Sequence, residues 1–308
     1  MNISSDLLSC LSRLFLVFGL FYSALGLAED KAHTLSLQLD RSEDTIQIPI
    51  DHEDLSLESE TAEVFYSFQY DEQIVLSASL LSGGVDGGGS NELDQDLSGF
   101  SGSVSYLKGN WALDVGFSVI KEKSKVTKTI FSKDVDSRLE SFDFNVSYNE
   151  EYRSTDFFIG GSFDFEWQNF IFTPSLRLGQ QISELDSLLE VGVSNYIDTN
   201  EESVGGYVAP ILSIAYLWAG SGSTLWLPSV SFFWSETLWG DVDSHASKQF
   251  LGKKTTTKNT ESTESGAGLM STSMMVVFDA FYADLSFSRT IDVEPKSKSI
   301  SLLLGLNF

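Results

Sequence analysis

The chain of 308 residues has little cysteine, histidine or positive charge, and each shortage excludes a class of function. Its one cysteine, Cys10, lies within the first 28 residues, so we expect no disulfide, cysteine-ligated metal or thiol nucleophile in the remainder. Three histidines and no metal-spaced motif predict that the protein carries no metal or other cofactor and is not an enzyme. The 19 basic residues against 44 acidic ones, a formal charge of −25, argue against nucleic-acid binding.

Long apolar runs are also missing after residue 28. Before it, Arg13 precedes the apolar stretch 14–20, and the segment ends with small residues at Gly26 and Ala28. This order of features predicts a cleaved signal peptide at residues 1–28 and an exported chain at residues 29–308. The apolar stretch is shorter than the roughly 20 residues of a membrane-spanning helix, which counts against an uncleaved anchor.

What the chain does have is alternation of apolar and small polar residues, in many segments of about 10 residues. In residues 111–120, large apolar side chains from Trp111 to Val119 face one way, while Asp114 and Gly116 face the other. Such segments have the length of tilted strands that cross a membrane. The polar faces hold Ser, Gly, Asp and Asn rather than the Lys and Glu of a water-exposed sandwich face, and so suit a barrel interior.

The last residues of the chain, 299–308, repeat this alternation and end on an aromatic side chain. They resemble the closing strand of bacterial outer-membrane β-barrels, in which alternating apolar residues lead to a terminal aromatic. The resemblance implies a location in the outer membrane of a Gram-negative bacterium, in contact with the lipid bilayer. It also implies insertion by the barrel-assembly machinery through the closing strand. The residues of this assembly signal are Ile300, Leu302, Leu304, Gly305, Leu306 and Phe308.

We therefore predict an all-β fold, an antiparallel up-and-down transmembrane β-barrel of about 14 strands, with 12 as the alternative. Residues 29–60 are an acidic N-terminal segment that contains the first strand, and residues 61–308 are the barrel body. This division leaves one membrane-embedded domain after the signal peptide.

The order of turns and loops constrains the strand number. Because the last strand ends at the periplasm, short inner turns and long outer loops should alternate, yet the two halves of the chain are out of phase by one strand. A further strand at 187–197 restores the phase and makes Gln168-Asn169 an outer hairpin. The similar sequence contexts of Pro174 and Pro228 favour an inner turn at Gln168-Asn169 instead, so the two interpretations stay open.

Counted on these strands, six acids and one base point into the barrel. A barrel of this size is wider than the filled eight-stranded kind, so a water-filled passage is expected, and inward acids favour cations. We predict a passive channel for small solutes with a preference for cations. The alternative is a hydrogen-bonded plug inside a non-conducting structural or adhesive surface barrel. The inward acids are Asp114, Asp143, Asp164, Glu166, Glu190 and Asp284, and the inward base is Arg177.

Two narrower resemblances offer other functions. The repeated proline-containing strands look somewhat like autotransporter translocator domains, although no passenger segment separates the signal peptide from the barrel. Asp94-Gln95-Asp96 and Asp243-Ser244-His245 are similar to the Asp pair and the Asp–His pair of the omptin rim proteases. That match covers only two tripeptides and the strand count departs from the omptins' ten, so the prediction remains a barrel without enzymatic activity.

Overall fold

The computed structural model shows a chain made almost entirely of antiparallel strands. The described stretches contain no helix of the length and hydropathy that a membrane crossing requires. The predicted signal peptide, with Cys10, lies outside the described residues. The structure describes residues 32–47, 54–87, 92–131, 143–191, 195–220, 224–250, 253–262, 266–291 and 297–308.

The described residues form fifteen strands, which follow one another along the chain. They are β1 (His33–Gln47), β2 (Asp54–Gln69), β3 (Ile74–Gly87), β4 (Glu92–Lys108), β5 (Trp111–Phe131), β6 (Asp143–Phe163), β7 (Phe165–Trp167), β8 (Phe170–Val191), β9 (Asn195–Tyr216), β10 (Trp218–Ala219), β11 (Thr224–Phe250), β12 (Lys253–Ser262), β13 (Gly266–Phe278), β14 (Phe281–Ile291) and β15 (Ser297–Asn307).

Twelve of these strands form a closed ring in which each pairs with its neighbours in the chain. The short β7 and β10 prolong β6 and β9 after single-residue breaks, and β12 pairs with the far end of β11. The ring closes where β15 pairs with β1, from Thr34 opposite Asn307 to Asp44 opposite Ser297. The predicted antiparallel transmembrane-type barrel is confirmed, and the ring contains the alternative number of strands.

The two ends of the barrel differ. Tight turns at 109–110, 168–169 and 279–280 lie at one end together with Phe308, and Gly109, Gln168 and Asp279 adopt positive φ there. We call this the turn end and the opposite one the loop end. The backbones of His33 and Phe308 exchange hydrogen bonds of 2.8 and 2.9 Å at the turn end, so the C-terminal residue completes the ring.

Side-chain exposure tells the inner face of the ring from the outer one. Leu113 and Val115 are 55% and 57% exposed, whereas Asp114 between them is half-buried. Side chains crowd on the concave inside of a closed sheet and separate on its convex outside, so the apolar face is the outer one. Serine hydroxyls hydrogen-bond across strands on the inner face, in the pairs Ser79–Ser101, Ser213–Ser231 and Ser288–Ser299, at 2.6–2.8 Å.

The separate strand predicted at 187–197 does not exist, because these residues end β8 and begin β9. The sequence alternates in two separate stretches of β6, at 143–148 and 156–163, but the strand is continuous for 21 residues. A crossing of the bilayer needs only about 9–11 residues. The longer strands therefore extend past the membrane, and one such strand can contain two alternating stretches. The alternation of short turns and long loops is restored when two stretches are counted as one strand, and not when a strand is added. Gln168-Asn169 is a turn-end hairpin, as the proline contexts indicated.

Aromatic rings cover glycines on neighbouring strands of the inner face. The Tyr282 ring on β14 lies against Gly305 on β15, and the Tyr207 ring on β9 lies against Gly179 on β8. A Cβ at either glycine would overlap the ring, so these positions need glycine for the close approach. The contacts hold adjacent strands in register where the wall offers little other apolar packing.

Candidate functional site

Four of the predicted inward acids lie on the inner face of the ring. Asp114 on β5 and Asp284 on β14 lie at the level of the outer apolar belt, each between two outward side chains. Asp164 follows β6 at the turn end and accepts a hydrogen bond of 2.6 Å from the Thr173 hydroxyl. Glu166 on β7 lies opposite Ile171 at the same end and is exposed. These four acids therefore line the barrel from its turn-end mouth to its middle.

Glu190 lies on the outer face instead. The register between β6 and β8 has no shift from Val146 to Ser162, so Glu190 shares a face with the exposed Leu176 and Leu178. It accepts a hydrogen bond of 3.0 Å from the Ser147 hydroxyl. The inward prediction depended on the separate strand at 187–197 and fails with it. Asp143 begins β6, and its side chain lies outside the described part of the structure.

The predicted inward base belongs to a polar cluster that the sequence did not reveal. The Arg177 guanidinium carbon lies 4.1 Å from the centre of the Phe158 ring, on the inner face of β6 and β8. Beside it, the Tyr207 hydroxyl on β9 donates a hydrogen bond of 2.9 Å to Asp156. Asp156 follows the same alternation as Gly160, so the alternation in the sequence could have placed it on the inner face. Arg177 thus faces an acid and a phenol across two adjacent strands.

A second inner cluster spans the closure of the ring. Asp40 on β1 accepts hydrogen bonds from Gln38, at 3.0 Å, and from Ser301 on β15. Glu63 on β2 accepts a hydrogen bond of 2.5 Å from Ser79 on β3. Both acids occupy the small-polar series of their strands, so the alternation alone indicates that they point inward.

Two further inner acids lie beyond the apolar belt, toward the loop end. Glu122 accepts hydrogen bonds from Gln95 and Ser124, and the Tyr148 hydroxyl donates one to Glu150. Burial raises the pKa of Glu122, and the negative charge of Glu150 raises it further, while the two hydrogen bonds lower it. Burial and the bond to Glu150 raise the pKa of Tyr148 to about 12. The loop-end mouth therefore contains carboxylates that repel one another.

The inner face is acidic along its whole length. Among the described side chains of the twelve ring strands, only Arg177 and Lys248 are inward bases, the latter near the loop end. The described residues include no group of three His, Cys, Asp or Glu side chains placed to hold a metal ion. The described inward acids of the ring are Asp40, Glu63, Asp114, Glu122, Glu150, Asp156, Asp164, Glu166, Glu201 and Asp284.

The residues that resemble an omptin site are not brought together. Asp94 and Asp96 lie on the outer face of β4, and Asp243 and His245 lie on the outer face of β11. The four strands β5, β6, β8 and β9 separate them around the ring. An Asp pair and an Asp–His pair that act on one peptide bond must face each other across a cleft, and these two pairs do not.

Two solved structures with the same fold are domains of autotransporters. The translocator domain of the autotransporter NalP from Neisseria meningitidis matches with a TM-score of 0.62 at 12% identity, over 99% of this chain and 98% of that one. The β domain of the Bordetella autotransporter BrkA matches with a TM-score of 0.57 at 8% identity, over 91% of this chain and 100% of that one. No protein-family model and no curated protein matches the chain. The resemblance to bacterial outer-membrane β-barrels is thus confirmed as a likeness of fold, without a specific family.

Proposed function

We propose that the chain is exported by its N-terminal signal peptide, inserted into the outer membrane through β15, and works there as a passive pore for small solutes that favours cations. The observation that carries this proposal is the acidic inner face, where ten described acids oppose two bases. Rings of carboxylates along a water-filled passage lower the energy of a cation and raise that of an anion.

The direction of the inner hydrogen bonds favours an open passage over a plug. The side-chain hydrogen bonds of the inner clusters join residues on one strand, on adjacent strands, or on strands one apart, as in Tyr207–Asp156. Such bonds run along the wall of the barrel and leave its centre free. A plug built from strand side chains would instead need bonds between strands on opposite sides of the ring, and the bonds of the inner clusters described above are not of that kind.

Conductance of the purified protein in planar bilayers tests the proposal. Discrete current steps with a reversal potential of cationic sign are expected in a salt gradient. At roughly 8 Å in water, one carboxylate stabilises a cation by about 0.5 kcal/mol and destabilises an anion by about the same amount. Neutralising the carboxylate should therefore change the cation-to-anion permeability ratio about fivefold. Asp114→Asn and Asp284→Asn should therefore weaken the cation preference, whereas the outer-face control Glu190→Gln should not. Absent steps or an anion preference would contradict the pore.

A second candidate is translocation of an attached segment, because two solved structures that match with TM-scores above 0.5 come from autotransporters. The measurement is surface display of a small reporter inserted between Ala28 and Glu29, with a reporter inserted in the turn 279–280 as the periplasmic control. Protease-accessible reporter on intact cells supports translocation, and a protected reporter excludes it.

A further inference from the structure

On four strands, the outward apolar residues are followed directly by a cation, and on β6 a single outward threonine, Thr155, lies between them. On β5 the outward series runs from Trp111 through Val119 to Lys121, and on β14 it runs from Phe281 through Phe287 to Arg289. Every arginine of the described residues except Arg177 occupies such a position, although acids outnumber bases by 44 to 19 in the chain. The five cations are Arg41 on β1, Lys121 on β5, Arg153 on β6, Arg289 on β14 and Lys298 on β15.

Strand geometry gives the depth of these cations. From Trp111 to Lys121 the strand advances ten residues, about 34 Å at ~3.4 Å per residue and about 24 Å along the membrane normal at a ~45° tilt. The apolar band of a barrel in the outer membrane is about 25 Å tall. Lys121 and its four equivalents therefore lie at the headgroups of the outer leaflet, with their side chains directed toward lipid.

The cations also form two pairs of like charge. Lys121 lies directly opposite Arg153, and Arg289 lies directly opposite Lys298. Like charges at directly opposite positions of a sheet are destabilising, so each pair is costly unless an anion lies between its members. The two pairs lie at similar depths on separate parts of the ring, because Lys121 follows Trp111 by ten residues and Arg289 follows Phe281 by eight.

At the β5–β6 pair, a single carboxylate takes the place of that anion. The Glu151 carboxylate lies 2.8 Å from Lys121 Nζ, 3.1 Å from Lys123 Nζ and 2.6 Å from Arg153 Nη2. One negative charge cannot neutralise three cations. Asp96 and Glu184 lie opposite Lys123 and Arg153 in the register, but in the described part of the chain they form no ion pair with them within 4.0 Å. Glu184 and Asp186 act on Arg153 only at longer range, so the cluster keeps donors for a second anion in direct contact.

We propose that the two cation pairs bind the phosphate groups of phosphorylated, multiply acylated lipids in the outer leaflet. Guanidinium groups bind phosphate through two parallel hydrogen bonds, and the apolar belt below each pair contacts the acyl chains of the same lipid. An outer-face concavity of about 390 Å³ beside the β5–β6 pair leaves room for the uncharged sugar of a large headgroup; its charged lining residues are Lys123, Lys125, Asp94, Asp96, Glu150, Glu151, Asp186 and Asp198. The inference rests on the proposed outer-membrane location and does not depend on conduction.

Native mass spectrometry of the full-length folded protein with added lipid A tests the proposal. The wild type should retain two lipid A molecules. Each double variant, Lys121→Gln/Arg153→Gln or Arg289→Gln/Lys298→Gln, should lose one and bind it about 30-fold more weakly, as expected for two surface cations. Glu151→Gln should strengthen binding, because the competing carboxylate is gone. The control Lys253→Gln/Lys254→Gln removes the same charge from β12, away from the belt, and should change nothing.

Three outcomes would overturn the inference. Dephosphorylated lipid A could bind as well as the phosphorylated form, the β12 control could lose as much affinity as the pair variants, or inorganic phosphate could displace lipid A completely at equal concentration. The last result would assign the cations to a free anion. Heat-modifiable gel mobility shows that each variant is folded. A barrel that binds lipid A without conducting refutes only the pore, and a cation-selective barrel without lipid preference refutes only this inference.

Discussion

Replacing Gly305 by alanine should destabilise the barrel, although alanine is normally the better residue in a strand. Gly305 is buried on the inner face of β15, and the Tyr282 ring of β14 lies on its backbone. A Cβ at this position would come closer than 3.0 Å to the ring carbons and to the hydroxyl oxygen. The ring would have to leave the position in which it covers the β14–β15 pairing.

The size of the effect follows from two opposing contributions. Overpacking of a fitted contact costs about 1–3 kcal/mol, while replacing glycine in a strand recovers about 0.5–1 kcal/mol. We expect a net loss of about 1–2 kcal/mol, or roughly a 5- to 30-fold change in the ratio of folded to unfolded protein. The matched control is Gly160→Ala on the inner face of β6. Its Cβ would lie 3.5 Å from the Leu176 oxygen and 4.0 Å from Arg177 Cβ, which is ordinary contact, so the change should be neutral or stabilising.

Urea unfolding in lipid vesicles, followed by tryptophan fluorescence, measures both variants. The Tyr282→Ala background separates the clash from other effects, because Gly305→Ala should cost little once the ring is absent. Equal effects of Gly305→Ala and Gly160→Ala, or an undiminished cost in the Tyr282→Ala background, would refute the reasoning.

Three further predictions concern the loop end and the closure of the ring. Because burial and Glu150 raise the pKa of Glu122, this carboxylate should lose its charge well before ordinary acids as pH falls. As the pH falls, the cation preference in planar bilayers should therefore begin to decline while the pH is still above 4.5. The decline should be smaller in Glu122→Gln, and a preference that does not change with pH would contradict this prediction. Hydrogen bonds from Lys121, Arg153 and Lys123 lower the pKa of Glu151 to about 2, below its ordinary 4.5. The contribution of ionised Glu151 to stability is therefore complete above pH 4.5 and lost as the pH falls toward 2. The ¹³C carboxyl NMR signal of Glu151 should accordingly stay unchanged from pH 7 to pH 5. Phe308→Ala removes the ring whose centre lies 5.5 Å from that of His33, and it should lower the free energy of unfolding by about 1 kcal/mol. The folded fraction on unheated gels should fall accordingly. The control Phe281→Ala, on the outer face nearby, should leave the closure of the ring intact.

The alternation in the sequence predicted most of the barrel because the side-chain period of a strand is two. The apolar faces of the middle and final strands could be identified from that period. The inward orientation of Asp114 and Asp284 followed from the same alternation. The closing strand was recognised because its alternation runs to the last residue. A barrel needs all of these local patterns at once, so they point to one fold.

Errors arose where the pattern extends beyond the membrane. β6 and β8 contain 21 and 22 residues, about twice the length of a bilayer crossing, and nothing in the local pattern marks where lipid ends. The face of Glu190 was wrong because its parity was counted from a strand that does not exist. At the bulge between Thr237 and Trp239 the register shifts, and Leu238 and Trp239 both become exposed, which a strict period of two would not predict.

The inner clusters could not be predicted for a different reason. Tyr207 and Asp156 lie on strands one apart, 51 residues distant in the chain, and meet only through the registers of β8 with β6 and β9. A single sequence specifies the faces of strands better than their register, because register is determined by pairing across the sheet. The like-charge pairs at the headgroup level depend on register in the same way.

The reversal potential of single channels in a dilute salt gradient tests the central claim most directly. Low ionic strength is required, because the screening length is only about 10 Å at 0.1 M salt. An acidic inner face predicts stepwise conductance with a reversal potential of cationic sign, reduced by Asp114→Asn and Asp284→Asn and unchanged by Glu190→Gln. A folded protein without current steps, or one with a reversal potential of anionic sign, would contradict it.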